Sequence, residues 1–271
     1  MSDIFAGQGS DPARLAELYD LEHDVLTEDL PFWRELAARH PGRVLDLGCG
    51  SGRLFRALID GGAAAIVGLD GSAQLLRRAA DRIAADDVLA GAAAANRIDL
   101  VVGDVRHVRQ AVRVPHDGFS LVIAAGVVPH LDGPEGALEM LEGVAGALGA
   151  DGRVVLDTLG PAQLPHRDLP LSIDWERATP DGRVVRRSEV TRRDLPDGLH
   201  VAYSTLTDTV RPDGTIARLP ASFRLWYPST DALDGALDVA GLAVELTWGS
   251  YDLEPFDPLD SERRIIVAGR R

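Results

Sequence analysis

Asp46, Gly48, Gly50 and Gly52 fall at alternate positions in RVLDLGCGSGRLFRAL, residues 43–58. An apolar run breaks into glycines directly after an acid, so bare backbone can approach a ligand just beyond a strand end. NAD, FAD, nucleoside triphosphates and S-adenosylmethionine are all bound by turns of this kind. The residues around the turn separate them. A dinucleotide fingerprint needs a third glycine for tight helix packing, and the corresponding position here is Arg53. A phosphate-binding P-loop ends in GKS or GKT, and this chain has no lysine. Asp46 would set negative charge against a pyrophosphate, whereas the ammonium and sulfonium of S-adenosylmethionine tolerate it.

Two more acids stand where a nucleoside would need them. Asp70 comes 24 residues after Asp46, at a predicted strand end, and can accept from both ribose hydroxyls. Gly71 follows it, and the next helix brings Leu75 to the adenine face. Gly103-Asp104-Val105 closes the third strand, with the Asp104 carboxylate for the adenine amino group and the Val105 N–H for a ring nitrogen. Taken singly, each acid is an ordinary cap or turn former. Three at successive strand ends behind DxGxGxG form a joint signal. Cys49, the only cysteine, fits the turn's need for a small residue better than a reactive thiol's role, and it rules out disulfides within the chain. The seven histidines show no ligand spacing, so no metal is expected.

These residues need strands and helices to hold them. Strand-length apolar runs at 43–47, 65–70, 98–104, 119–125 and 152–159 alternate with amphipathic stretches. That is the pattern of an α/β, doubly wound parallel sheet. Pro134 can open the last of these helices and Gly149 can close it. Ahead of the sheet, Asp11-Pro12 and Pro31 each start a helix able to fold over its ligand end. After Pro161 the period becomes two, in VVRRSEVTRR, HVAYSTLTDTV and TIARLPASFRLWY, separated by two PDG turns. This predicts an inserted antiparallel β-meander of about three strands. One helix and two strands follow, finishing the main sheet as an antiparallel edge pair. The expected organisation is residues 1–160 for the N-terminal helices and cofactor part, 161–228 for a meander lid over the substrate, and 229–271 for the closing elements.

Apolar content of 45% and charged content of 26% are those of a soluble globular chain. Twenty-eight arginines against 42 acids give a formal charge of −14, which disfavours a nucleic-acid partner. No apolar stretch is long enough for a membrane span, and the N-terminus lacks a signal-peptide pattern, so the expected location is cytoplasmic.

LDLGCGSGR, GLDGSAQLL and GDVRHV resemble the glycine-loop, ribose-acid and adenine-acid motifs of class I S-adenosylmethionine-dependent methyltransferases. The resemblance covers roughly residues 40–160 and implies the family's seven-stranded Rossmann-like sheet. It also implies that Gly48, Cys49 and Gly50 lie against the methionine end of the cofactor, with Ala125 nearby after strand four. GDVRHVRQ, GVVPHL and the late meander are similar to enzymes that N-methylate small amines, such as deoxyaminosugar N,N-dimethyltransferases and daptide-type peptide N-methyltransferases. In those, an N-terminal tyrosine touches the methionine end; here ELYDLEHD offers Tyr19. Trp33 stands where an aromatic often lies near the cofactor, or it simply packs the core.

Methyl transfer is an in-line displacement needing alignment in a dry pocket. In AAGVVPHL, residues 124–131, the one titratable side chain is His130, a proton acceptor or orienting group, or else a cap for the next turn. The same segment lacks the (Asp/Asn)-Pro-Pro-(Tyr/Phe) motif of DNA amino-methyltransferases and the metal-binding acids of catechol-type enzymes. The meander and N-terminal helices should wall the substrate pocket, with Tyr227 first among candidates that include Trp175, His200, Tyr203, Arg224, Trp226 and Tyr251. The acidic stretch 251–262 either attracts a cationic amine or is a solvated loop. The leading expectation is therefore N-methylation of a metabolite or short-peptide amine. O-methylation of a hydroxylated metabolite, a non-catalytic cofactor-binding scaffold and, more remotely, an NAD-dependent oxidoreductase are the alternatives. A homodimer is compatible with the sequence.

Overall fold

The structure is a computed structural model, and it describes residues 11–180 and 182–271. The reading of the extreme N-terminus as lacking a signal segment falls largely on residues 1–10, outside the described residues.

Asp11 caps α1 (Pro12–His23), its carboxylate accepting from the N–H groups of Ala13 and Arg14, and Pro12 supplies a preset first position. α2 (Leu30–Arg39) follows, with Pro31 in its first turn. Strands and helices then alternate: β1 (Arg43–Leu47), α3 (Phe55–Asp60), β2 (Ala65–Asp70), α4 (Ala73–Ala85), α5 (Asp87–Ala94), β3 (Ile98–Val102), α6 (Val108–Ala111), β4 (Phe119–Ala125), α7 (Pro134–Ala145) and β5 (Leu148–Leu159). The chain next leaves the sheet to form β6 (Leu169–Thr179), β7 (Gly182–Leu195), β8 (Gly198–Val210) and β9 (Ile216–Pro228). It returns through α8 (Thr230–Val239), β10 (Leu242–Trp248) and β11 (Arg263–Arg270).

The main sheet has seven strands in the order β10-β11-β5-β4-β1-β2-β3. β1 pairs in parallel with both β2 and β4, while β11 is antiparallel to β5 and β10. This is the mixed, Rossmann-like α/β architecture expected. Each central strand is buried on both faces. Val44 packs into the cluster beneath α2, α3 and α4, and Leu45 and Leu47 into the one beneath α7 and α8. Two-sided burial is why these strands read as unbroken apolar runs.

Two details differ from expectation. The meander has four strands, ordered β6-β7-β8-β9. The additional strand, β6, is an exposed edge: Leu169, Leu171 and Ile173 all face solvent, and Pro170, which has no N–H to give a ladder, is tolerated there. The closing pair is the expected antiparallel edge, with β11 beside β5 and β10 outermost. Finally, α7 ends at Ala145 with Gly146 as its cap, and Gly149 lies inside β5, where a side chain would strike the Asp117 carbonyl.

Candidate active site

The glycine loop leaves β1 with Gly48, Gly50 and Gly52 at φ of +64°, +57° and +73°, a left-handed conformation that explains three glycines at alternate positions. The N–H groups of Gly48 and Cys49 donate to the Leu69 carbonyl at 2.7 and 3.2 Å, tying the turn to β2. Any side chain at position 50 would also crowd the Tyr19 ring, because a Cβ there would stand 3.1 Å from the tyrosine hydroxyl. Cys49 turns its sulfur toward Gly68 of β2. Burial first, then Asp46 and Asp70, push its thiol well above the ordinary value, so it is no nucleophile at neutral pH.

Asp46 and Asp70 are both buried at adjoining strand ends. The Asp70 carboxylate accepts from the Gly50 N–H at 2.9 Å and the Ser72 N–H at 2.7 Å, fixing the glycine loop and the start of α4 together around Gly71. Asp46 has no such support: among the described residues its buried Oδ2 has no hydrogen-bond partner. Burial, joined by the Asp70 charge and opposed by Arg53, pushes this carboxyl up to about 7. Asp104 caps the short 3-10 turn Val105–His107 and is paired with Arg106 at 2.6 Å. Val105 is fully buried in the core, and Ala125 ends β4. Leu75 is also enclosed, packed under Leu15 and Ala16 of α1.

Beyond the C-terminal strand ends, α1, the turn after β4 and the meander enclose a cavity of about 680 Å³. Gly126, at φ +68°, bends the chain out of β4, and its N–H donates to the Asp157 carbonyl at 2.8 Å. The 3-10 turn Val128–His130 then brings His130 to the cavity wall, where burial, followed by the nearby His23, lowers it to about 4. Tyr19 lines the same space, and its hydroxyl is raised by burial and Asp70. On the meander side, Trp175, Tyr203 and Tyr227 contribute aromatic surface, and the two tyrosine hydroxyls hydrogen-bond to each other. Arg186 of β7 is paired with Glu22 of α1 and lies 3.5 Å from Asp174 of β6. Among the described residues two carboxylates thus face one guanidinium, an acid excess.

Other residues expected at the pocket lie elsewhere. Along β9, Phe223, Leu225 and Tyr227 face the cavity, so Arg224 and Trp226 point to the opposite side of the meander, where with His200 they line a separate surface hollow. Trp226 is core, its indole N–H donating to the Asp197 carbonyl at 3.2 Å. The Tyr251 hydroxyl donates to Asp157, which also holds Arg263 at 2.6 Å. Residues 252–255 and 257–260 of the acidic stretch are exposed. Trp33 follows its packing alternative: it is fully enclosed and donates to Asp29, which in turn grips Arg53 of the glycine loop. Conversely, sequence reasoning missed Glu22, His23, Asp174 and Arg186. Glu22 and His23 carried a signal, since positions three and four after Tyr19 share its helix face.

Among the described residues no cluster of three or more His, Cys, Asp or Glu is arranged for a metal, and no helix is long and apolar enough to cross a membrane.

A seven-stranded sheet with a glycine loop after β1, acids at the next strand ends and a capped cavity above them defines the class I methyltransferase architecture. Residues 44–152 match the family model described as a methyltransferase domain. Over those residues the chain carries a methyltransferase domain. No curated protein matches its sequence. Among solved structures, the CcbJ methyltransferase from Streptomyces caelestis is 22% identical with a TM-score of 0.71, over 94% of this chain and 96% of that one. DesVI from Streptomyces venezuelae is 18% identical with a TM-score of 0.70, over 95% and 98%. The sugar N-methyltransferase KedS8 from Streptoalloteichus sp. is 17% identical with a TM-score of 0.67, over 93% and 92%.

Proposed function

We propose that this enzyme N-methylates an amine of a small metabolite or short peptide. The observation that carries the reading is the cavity wall, where an acid excess from Glu22 and Asp174 faces Tyr19, His23 and His130 beside the glycine loop. Acids recruit a cationic amine, and imidazoles lowered by burial stay neutral at pH 7 and can accept from it. Similarity in fold to a sugar N-methyltransferase supports the same reading.

The cofactor is S-adenosylmethionine, which supplies an electrophilic methyl group on a sulfonium. The residues present fit it: the partnerless Oδ2 of Asp46 wants a cation, and the bare backbone of Gly48 and Gly50 admits close approach. Asp46, Gly48, Cys49 and Gly50 would hold its methionine end and Asp70 its ribose. Asp104 and the Val105 N–H would serve the adenine, with Tyr19 covering the loop. These groups orient the donor, while α1 and the meander exclude water from the nucleophile's approach.

Paired acceptors test the proposal. Aminosugars, arylalkylamines and short peptides are each offered beside a hydroxyl analogue, with S-adenosylmethionine, and products are read by mass spectrometry. Single or double methyl gain on the amine members is expected. Gain confined to the hydroxyl analogues would establish O-methylation instead.

A further inference from the structure

We propose that His23 presents its Nε2 lone pair to the acceptor amine and so aims the nucleophile at the methyl donor. This rests on the amine reading above. His23 ends α1, one turn beyond Tyr19, and the two rings stack with centroids 3.8 Å apart and planes 15° from parallel. The ring is therefore anchored to the tyrosine that covers the glycine loop.

The tautomer follows from one contact. His23 Nδ1 lies 2.8 Å from the Tyr19 carbonyl oxygen. A carbonyl only accepts, so Nδ1 carries the hydrogen and Nε2 of the neutral ring holds the lone pair. Among the described residues nothing bonds to Nε2, and the ring lines the same cavity as His130. Among the described residues His130 has no comparable partner to fix its tautomer. The charged and titratable groups around His23 are Glu22 on its own helix, Arg53 from the glycine loop, Arg186 from β7 and His130 from the turn after β4. Burial, with Arg53 and Arg186, outweighs Glu22 and the carbonyl bond, holding the ring below its ordinary value and hence neutral at pH 7.

The amine arrives as an ammonium and gives one proton to bulk water. A remaining N–H donates to His23 Nε2, leaving the nitrogen lone pair directed at the methyl carbon. The N–C bond forms as the C–S bond breaks, with that electron pair staying on sulfur. The product leaves as a methylated ammonium, so the one proton released overall is the one given to water before transfer.

Two substitutions separate the role from packing. Asn at position 23 keeps a donor for the Tyr19 carbonyl but removes the acceptor, and Gln can place its carbonyl near the Nε2 position. His23→Asn should lower kcat on amine acceptors about 100-fold, with His23→Gln within about tenfold of wild type. Calorimetric affinity for S-adenosylhomocysteine should be unchanged in both. Ring ¹⁵N NMR of the wild type should show the Nδ1–H tautomer, whether or not any acceptor is turned over. An Nε2–H tautomer, or wild-type amine turnover by His23→Asn, overturns the proposal. Wild-type turnover of hydroxyl analogues alone overturns the amine reading itself.

Discussion

Asp46 is the residue on which the proposed cofactor contact bears most directly. Its carboxyl sits near 3.8 when unstructured and about 7 in the folded chain, chiefly because burial disfavours the charge. Between those values the folded chain binds a proton that the unfolded chain does not, so stability declines as pH rises from about 4 to 7. Asp46→Asn, neutral and nearly isosteric, should therefore gain thermal stability relative to wild type across that window. Binding runs the other way. The ammonium of S-adenosylhomocysteine favours the carboxylate, so complex formation below pH 7 must expel a proton, and affinity should rise with pH by up to about tenfold per unit. Calorimetry at about pH 6 in two buffers of different ionisation heat should register that proton. Asp46→Asn should abolish the buffer dependence and weaken binding by about 1–3 kcal/mol. Equal heats in both buffers for the wild type would mean that Asp46 does not receive the ammonium.

At the scale of elements, α1 does the joining. It roofs the glycine loop through Tyr19, covers Leu75 of α4 and supplies one wall of the cavity. Arg82 of α4 pins it, reaching Asp24 at 2.7 Å, Asp20 at 3.6 Å and the Ser51 carbonyl of the glycine loop at 2.9 Å. Partly exposed ion pairs contribute about 0–1 kcal/mol each, so Arg82→Ala should loosen α1 by about 1 kcal/mol. Amides of Leu15 and Leu18 should then exchange hydrogen about fivefold faster, with α7 amides unaffected. Uniform acceleration across both helices would point to global destabilisation instead. The helix itself was plain in the sequence because Asp11-Pro12 is a strong start signal. β1, β2 and β4 were equally plain, since burial on both faces writes a continuous apolar run. β6 was not, because Pro170 interrupts its alternation and its leucines face water. No residue pattern specifies that β11 enters the sheet between β5 and β10; that is a choice among pairing partners rather than a local propensity.

At the scale of the whole molecule, the strand-end residues proposed for the cofactor were legible and the wall proposed for the acceptor was not. Asp46, the glycines and Asp70 lie within 25 residues of one another and follow directly from strand ends. The cavity wall is assembled from α1 and the meander, with Glu22 and Arg186 separated by 164 positions, so only the folded chain brings the charges together. The period-two reading of β9 selected neighbouring aromatics without knowing which face was inward, which is why Tyr227 lines the cavity and Trp226 lies on the other side. The assembled wall has an electrostatic consequence that the overall charge of −14 reinforces. A cationic amine approaching the cavity moves down a potential gradient toward Glu22 and Asp174, whereas a neutral analogue does not. The Debye length shortens from about 30 Å at 0.01 M salt to about 8 Å at 0.15 M, so added salt removes the long-range part of that attraction. The kcat/KM for a cationic amine should fall several-fold over this range, and that of an uncharged hydroxyl analogue should stay level. Asp174→Asn should flatten the salt slope for the amine while leaving calorimetric affinity for S-adenosylhomocysteine intact, because Asp174 belongs to β6, away from the glycine loop. An unchanged slope in Asp174→Asn would assign the recruitment to the surface charge as a whole and remove the cavity acids from substrate selection.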